Sequence, residues 1–255
     1  SAVGDGVTGV AVGDRVAAMA GLGGYTDRLA LSALSLIPLP DGLTTTVAAG
    51  LVQSYATALF ALRERAHLAE GETVLVLGAG GGVGLATIDV ARALGARVLA
   101  AASSDDKRAA ALAAGADAVI DYTTEDLKAR ARELTGGDGA DVVLDPVGGA
   151  TADPALRSLR LFGRYLVIGF AAGEIPRLPL NQVLLRNRSI LGVDWGAWGI
   201  AHGAENRALL DELFAWAADG RIRPTDPTTY PLDRAADALA DLLGRRLTGK
   251  AVLIP

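Results

Sequence analysis

Residues 74–84 read Val74-Leu75-Val76-Leu77-Gly78-Ala79-Gly80-Gly81-Gly82-Val83-Gly84. Residues 74–77 are a short apolar run without polar alternation, the pattern of a strand buried on both faces of a parallel sheet. Glycines follow at once, and a helical pattern then runs to Leu94. A strand that turns into a helix through glycines presents bare main-chain N–H groups at the positive end of a helix dipole, where a diphosphate can sit. A side chain at the closest point would hold the phosphate off, and Gly84 would let the helix pack against the strand. The strict G-x-G-x-x-G spacing is not met, because residue 83 is valine. The match is G-x-x-G-x-x-G through Gly78, Gly81 and Gly84. A glycine-rich turn in any α/β domain offers the same letters, so the flanking rhythm has to decide.

That rhythm repeats outward. Apolar runs at 98–101, 118–120, 141–144, 165–168 and 189–193 read as five further strands. Helical patterns fall between them, at 109–114 and at 124–134, the latter with Glu125 and Asp126 in a first turn where the dipole favours anions. Another opens at Thr151 and Pro154. Strands alternating with helices predict an α/β fold with a doubly wound, six-stranded parallel sheet of Rossmann type. Upstream, residues 10–12 and 16–19 are β-like, Pro38 and Pro40 punctuate that region, and a helix spans about 44–62 before a second short helical segment that closes at Gly71. Downstream, 209–218 and 233–246 read as helices, 223–227 as a turn-rich connector and 251–254 as a last strand.

The chain has 255 residues, 51% apolar and 21% charged, which suits one large or two modest domains with a real core. It contains no cysteine, so these residues supply no disulfide, thiolate nucleophile, iron–sulfur cluster or Cys-ligated zinc. The histidines, His67 and His202, lie far apart, and no metal site is expected. A net charge of −5 argues against a nucleic-acid partner. No apolar run reaches the roughly 18 residues of a membrane span, and the opening residues lack a signal-peptide pattern. No membrane association and a cytoplasmic location are therefore expected.

The tip of the second strand selects the coenzyme. An NAD reader ends this strand on Asp or Glu, which binds the ribose diol. Here the sequence runs Ala101-Ala102-Ser103-Ser104-Asp105-Asp106-Lys107-Arg108, with two hydroxyls and a cation in place of the acid. Hydroxyls and a cation suit a 2′-phosphate, which a carboxylate repels. Asp105 and Asp106 put negative charge close by, and Ser103 or Ser104 also serves as a helix cap. NADP is favoured over NAD.

The chain resembles the zinc-free medium-chain dehydrogenase/reductases, in particular the NADPH:quinone oxidoreductase or zeta-crystallin-like group. The resemblance is carried by Val12-Gly13-Asp14-Arg15-Val16, Ser54-Tyr55-Ala56-Thr57-Ala58, Gly80-Gly81-Gly82-Val83-Gly84 and Ser103-Ser104-Asp105-Asp106-Lys107. It continues through Val119-Ile120-Asp121-Tyr122, Asp145-Pro146-Val147-Gly148-Gly149, Val167-Ile168-Gly169-Phe170 and Thr248-Gly249-Lys250. It implies a Rossmann domain at 66–200, a partial GroES-like β-barrel domain from 1–65 and 225–255, and a connecting helix and linker at 201–224. In that family further barrel strands precede this point, so the resemblance also implies an N-terminally incomplete barrel.

By the same resemblance Gly81, Gly82 and Val83 hold the diphosphate, and Ser104, Lys107 and Tyr122 the 2′-phosphate. Gly148, Gly169 and Phe170 lie along the ribose and nicotinamide. Thr57 approaches the nicotinamide, and Lys250 sits in the cleft near the coenzyme. Asp121, where relatives often carry Asn, is expected to weaken the 2′-phosphate site.

Metal-free hydride transfer suits an electrophile that needs little activation, and a quinone qualifies because aromatisation stabilises its reduced form. An enoyl thioester qualifies too, because its β-carbon accepts hydride directly, and a nucleotide-binding relative without catalysis is the third alternative. No catalytic acid stands out. Trp195, Trp198 and Phe170 offer a flat wall, and the loop before His202 is a candidate substrate mouth. The sixth strand is expected at the sheet edge, where an apolar unprotected strand pairs with a second copy to give a homodimer.

Overall fold

The computed structural model describes residues 2–255. Every residue of β3 (Thr73–Leu77) is buried, which follows from its place in the middle of a six-stranded parallel sheet. β4 (Arg97–Ala102) lies on one side, with Val74 opposite Val98, and β6 (Ala140–Asp145) on the other, with Val74 opposite Val142. β5 (Ala118–Asp121), β7 (Leu159–Val167) and β8 (Ser189–Gly192) complete the order β5-β4-β3-β6-β7-β8, the doubly wound arrangement expected from the sequence.

Apolar side chains on both faces require helices on both faces. One face is covered by α1 (Thr45–Leu59), α2 (Gly82–Ala93) and α8 (Gly203–Ala218). The other is covered by α4 (Leu127–Leu134) and α5 (Ala152–Ser158), while α3 (Asp105–Ala113) follows the β4 tip and the short α6 (Leu180–Leu184) precedes β8. The Thr44 hydroxyl caps α1 by accepting from the Val47 N–H at 3.1 Å. The helix runs on as a π-helical stretch, Phe60–Arg65. Thr45–Arg65 is thus 21 residues, long and apolar enough by length and composition to cross a membrane, contrary to the reading that no run is. Of its apolar window 67% is buried within the fold, which makes it a core helix.

The flanking segments form two small sheets. β1 (Val16–Ala18) pairs antiparallel with β2 (Leu36–Pro38), and β9 (Thr228–Pro231) pairs parallel with β10 (Ala251–Ile254). The tail also reaches the sheet domain, because the Gly249 N–H donates to the Gly80 carbonyl at 2.9 Å and Gly81 and Gly249 form a parallel bridge.

Several local expectations are corrected. Residues 10–12 form no strand, and Val12 is exposed. β2 and β9 are strands that the prolines concealed. Glu125 and Asp126 precede α4 instead of lying in its first turn, and Asp126 caps it by accepting from the Ala129 N–H at 2.9 Å. No second short helix closes at Gly71: residues 67–69 are irregular, 70–71 form a turn, and His67 has a left-handed backbone conformation. The Trp195–Ala201 segment is a helix, α7, capped by Asp194, not a loop. Trp195 is buried and donates its indole N–H to Asn206 at 2.8 Å, and Trp198 stacks on His202 and packs against Phe60. The last helix, α9 (Ala235–Leu243), is shorter at both ends than the reading at 233–246.

A buried carboxylate ties the connector to the sheet domain. Asp89 of α2 accepts from the Tyr55 hydroxyl at 3.0 Å and from the Arg223 N–H at 2.6 Å, both on one oxygen. Burial raises its pKa above 3.8, and the donors only partly offset that. A raised folded-state pKa means stability that is present below the unfolded value and lost as pH rises through the folded one. Asp89→Asn keeps an acceptor and removes the charge. Its melting temperature should match the wild type near pH 4 and exceed it increasingly toward neutrality. Asp89→Ala orphans both donors and should cost about 2–3 kcal/mol by denaturant unfolding.

Candidate functional site

The strand-to-helix turn after β3 is built from main chain. Gly78 adopts a positive φ of 57°. A Cβ on Gly84 would lie 2.4 Å from the Gly78 carbonyl oxygen and 2.7 Å from Ala79 Cα, so this position takes no side chain. Gly81 is the N-cap of α2, and its own N–H is already given to the Gly78 carbonyl at 2.9 Å. The free donors of the first turn are therefore the N–H groups of Gly82, Val83 and Gly84, which have no acceptor within the helix. Gly81 shapes the turn but does not offer its N–H as expected.

A cleft of about 330 Å³ lies over this turn. It is bordered by Gly81, Gly82, Val83, Lys107 and Tyr122, and by no acidic residue. At the β4 tip it is Ser103 that lines the cleft; Ser104 holds the N-cap position of α3 without a side-chain capping bond. The Lys107 stem crosses Gly80, where a Cβ would sit 2.5 Å from it, and its ammonium donates to the Arg245 carbonyl at 3.2 Å. Arg245 follows α9 in a left-handed conformation, φ 55°, and its exposed side chain borders the same cleft with no carboxylate paired to it among the described residues. No motif marks Arg245 in the sequence, because it comes from the far end of the chain.

Two of the three nearby acids are engaged elsewhere, whereas Asp106 has no hydrogen-bond or ion-pair partner among the described residues. Arg108 pairs with Asp105 at 2.5 Å and with Asp121 at 3.1 Å. Hydrogen bonds from Thr123 hold the Asp121 carboxyl below the usual range. One guanidinium thus offsets part of the negative charge expected to oppose a 2′-phosphate.

At its other end the cleft is lined by Pro146, Val147, Ala171 and Ala172, and the expected Gly148, Gly169 and Phe170 stand behind them without lining it. Gly148 adopts φ 66°, and a Cβ there would meet the Phe170 ring at 2.9 Å. Gly148, Gly169 and Phe170 therefore form one packed corner at the ends of β6 and β7. Thr57 is buried in α1, donates its hydroxyl to the Gln53 carbonyl at 2.7 Å and does not line the cleft. A larger cavity of about 480 Å³, walled by Met19, Ile37, Trp195 and Leu210, lies away from the glycine turn.

Lys250, expected in the cleft, does not line it: it stands between α1 and α2 in a small neighbouring pocket that shares Gly82 and Gly249 with the cleft. Its stem passes Gly50 at 3.7 Å and Gly82 at 2.8 Å, measured from the Cβ each glycine lacks. It has no hydrogen-bond or ion-pair partner among the described residues, and desolvation lowers its pKa below the ordinary lysine value. No group of three or more His, Cys, Asp or Glu among those residues is placed to hold a metal ion.

The chain is similar to known proteins in four respects that bear on this site. Residues 82–214 match the zinc-binding dehydrogenase family model. Quinone oxidoreductase-like protein 2 of Bos taurus is 39% identical over 248 residues, covering 97% of this chain and 71% of that protein. Escherichia coli quinone oxidoreductase, solved in complex with NADPH, superposes with a TM-score of 0.88 at 30% identity, covering 99% of this chain and 78% of that one. A mycocerosic acid synthase-like polyketide synthase of Mycobacterium tuberculosis is 34% identical over 257 residues, which are 99% of this chain and 12% of that protein.

The glycine turn makes a graded prediction for the free protein. Gly84→Ala meets immovable backbone and should lose about 1–3 kcal/mol of stability, whereas Gly82→Ala meets only the flexible Lys250 stem and should lose little. Denaturant unfolding of both variants checks this, and equal losses would contradict it.

Proposed function

The chain belongs to the quinone oxidoreductase-like family of medium-chain dehydrogenases, and on that premise we propose an NADPH-dependent oxidoreductase that passes a hydride, without a metal, to a quinone or similar conjugated electrophile. The observation that carries the coenzyme assignment is Lys250. An unpaired ammonium beside the N-terminal end of α2 is unfavourable on its own, because cation and dipole repel. A pyrophosphate between them would satisfy the ammonium and the free N–H groups of Gly82 and Val83 together. Lys107, Arg245, Ser103 and Tyr122 would surround the 2′-phosphate, and Pro146, Val147, Ala171 and Ala172, backed by Gly148, Gly169 and Phe170, would face the ribose and nicotinamide. When bound, NADPH supplies the hydride. The protein orients it and keeps water from the reacting face.

The donor set supports a metal-free reaction. The chain offers no thiolate, His67 is exposed beyond the first helix, and His202 places Nδ1 3.0 Å from the Trp198 carbonyl and stacks on the Trp198 ring. A quinone needs no Lewis acid, since its reduced form is stabilised by aromatisation and takes its proton from solvent. Reduction of an enoyl thioester is the second reading, favoured by the alignment with a polyketide synthase.

NADPH consumption with a naphthoquinone, set against crotonyl-CoA, separates the two readings. NADPH binding without turnover of either would overturn both. Lys107→Ala and Arg245→Ala should each weaken NADPH about ten- to hundredfold and spare NADH, because each removes a charge-assisted contact worth about 1.5–3 kcal/mol. Equal effects on both coenzymes would remove the basis for NADP.

The homodimer belongs to the same proposal. β8 ends the sheet with one edge unpaired, and Leu180, Leu184 and Leu185 stand exposed just before it. A two-fold mate would extend the sheet and cover these leucines. Sedimentation at micromolar concentration should give a dimer, and Leu184→Lys should give a monomer.

A further inference from the structure

Asp145 ends β6 almost wholly inside the protein, and no cation pairs with it among the described residues. Its charge is met by hydrogen bonds alone. One carboxylate oxygen accepts from the N–H groups of Val147 at 2.7 Å and Gly148 at 2.9 Å, and the other accepts from the hydroxyl of Tyr165, which is equally buried in β7. The Asp145 carbonyl accepts from the Ile168 N–H at 2.9 Å. One residue therefore grips both segments that flank the far end of the cleft, 146–149 and 168–172.

These segments are also fastened to each other. The Ala171 N–H donates to the Pro146 carbonyl at 3.1 Å, and that of Ala172 to the Val147 carbonyl at 2.9 Å. The assembled corner then presses on the glycine turn, since a Cβ on Gly78 would lie 2.8 Å from a Val147 methyl. Lys107, Arg245, Ser103 and Tyr122 share no hydrogen bond with either segment among the described residues. The two halves of the cleft are thus set by separate networks.

We propose that Asp145 and Tyr165 are a positioning pair that fixes the nicotinamide half of the cleft before any coenzyme arrives. This rests on the NADPH reading given above. Neither residue touches the reacting atoms; they act through Val147, Gly148, Gly169 and Phe170.

Tyr165→Phe keeps the ring and removes the hydroxyl donor. Binding is read by fluorescence for NADPH and for 2′-phospho-ADP-ribose, which is the coenzyme without its nicotinamide. The variant should bind NADPH about tenfold more weakly, the factor for one lost hydrogen bond to a charged group, and the fragment as well as wild type does. A merely structural role would shift the melting temperature and leave that split unmoved. Equal loss for both ligands, or loss for neither, overturns the proposal. Failure of the wild type to bind either ligand instead overturns the NADPH reading on which it rests. Should the variant not fold, hydrogen exchange on the wild type decides. The Val147, Gly148 and Ile168 amides should be as protected without NADPH as with it, and unprotected exchange in the free protein overturns preorganisation.

Discussion

Lys250, without a partner among the described residues, is set against the positive end of α2, and holding it there joins distant parts of the chain. Lys250 reaches Gly82 only because the tail is held there, by the Gly249 N–H on the Gly80 carbonyl and by the pairing of β10 with β9. Asp89 anchors the connector that leads into β9, through the Arg223 N–H. The stem lies where a Cβ on residue 82 would sit, 2.8 Å from it. Loop, helix and tail thus meet at one point, although they come from distant parts of the sequence.

The rest of the cleft follows the same logic of satisfied or deliberately open polar groups. Gly81 spends its N–H on the turn and leaves those of Gly82, Val83 and Gly84 open. Arg108 pairs with Asp105 and Asp121, which leaves Lys107 and Arg245 as the cations that border this end of the cleft. Asp145 is the opposite case, a buried anion whose charge is met by main-chain N–H groups and a tyrosine hydroxyl. Buried charge of either sign is costly unless something answers it. Here Asp145 is answered from within, and the half-buried Lys250 has no partner among the described residues.

Much of this was legible in the residues. Continuous apolar runs with glycine and helix between them can hardly be anything but a parallel sheet, and the order of the six strands followed. Short elements were not legible. β2 and β9 contain prolines and are three and four residues long, too short for a period to show. α7 has a Trp-Gly-Ala-Trp-Gly sequence that looks like a loop, and the Asp194 cap with the packing of Trp195 on Asn206 makes it a helix. Arg245, the Arg108–Asp121 pair and the Asp145–Tyr165 contact join residues distant in sequence, and no local pattern encodes them.

The central claim is that Lys250 awaits a phosphate. The chain has three lysines, so each side-chain amine can be assigned and titrated by nitrogen NMR in the free protein and with saturating NADPH. The Lys250 amine should titrate below the ordinary lysine value when free and move upward when NADPH binds, as an anion enters its surroundings. A Lys250 titration that NADPH leaves unchanged would contradict the account.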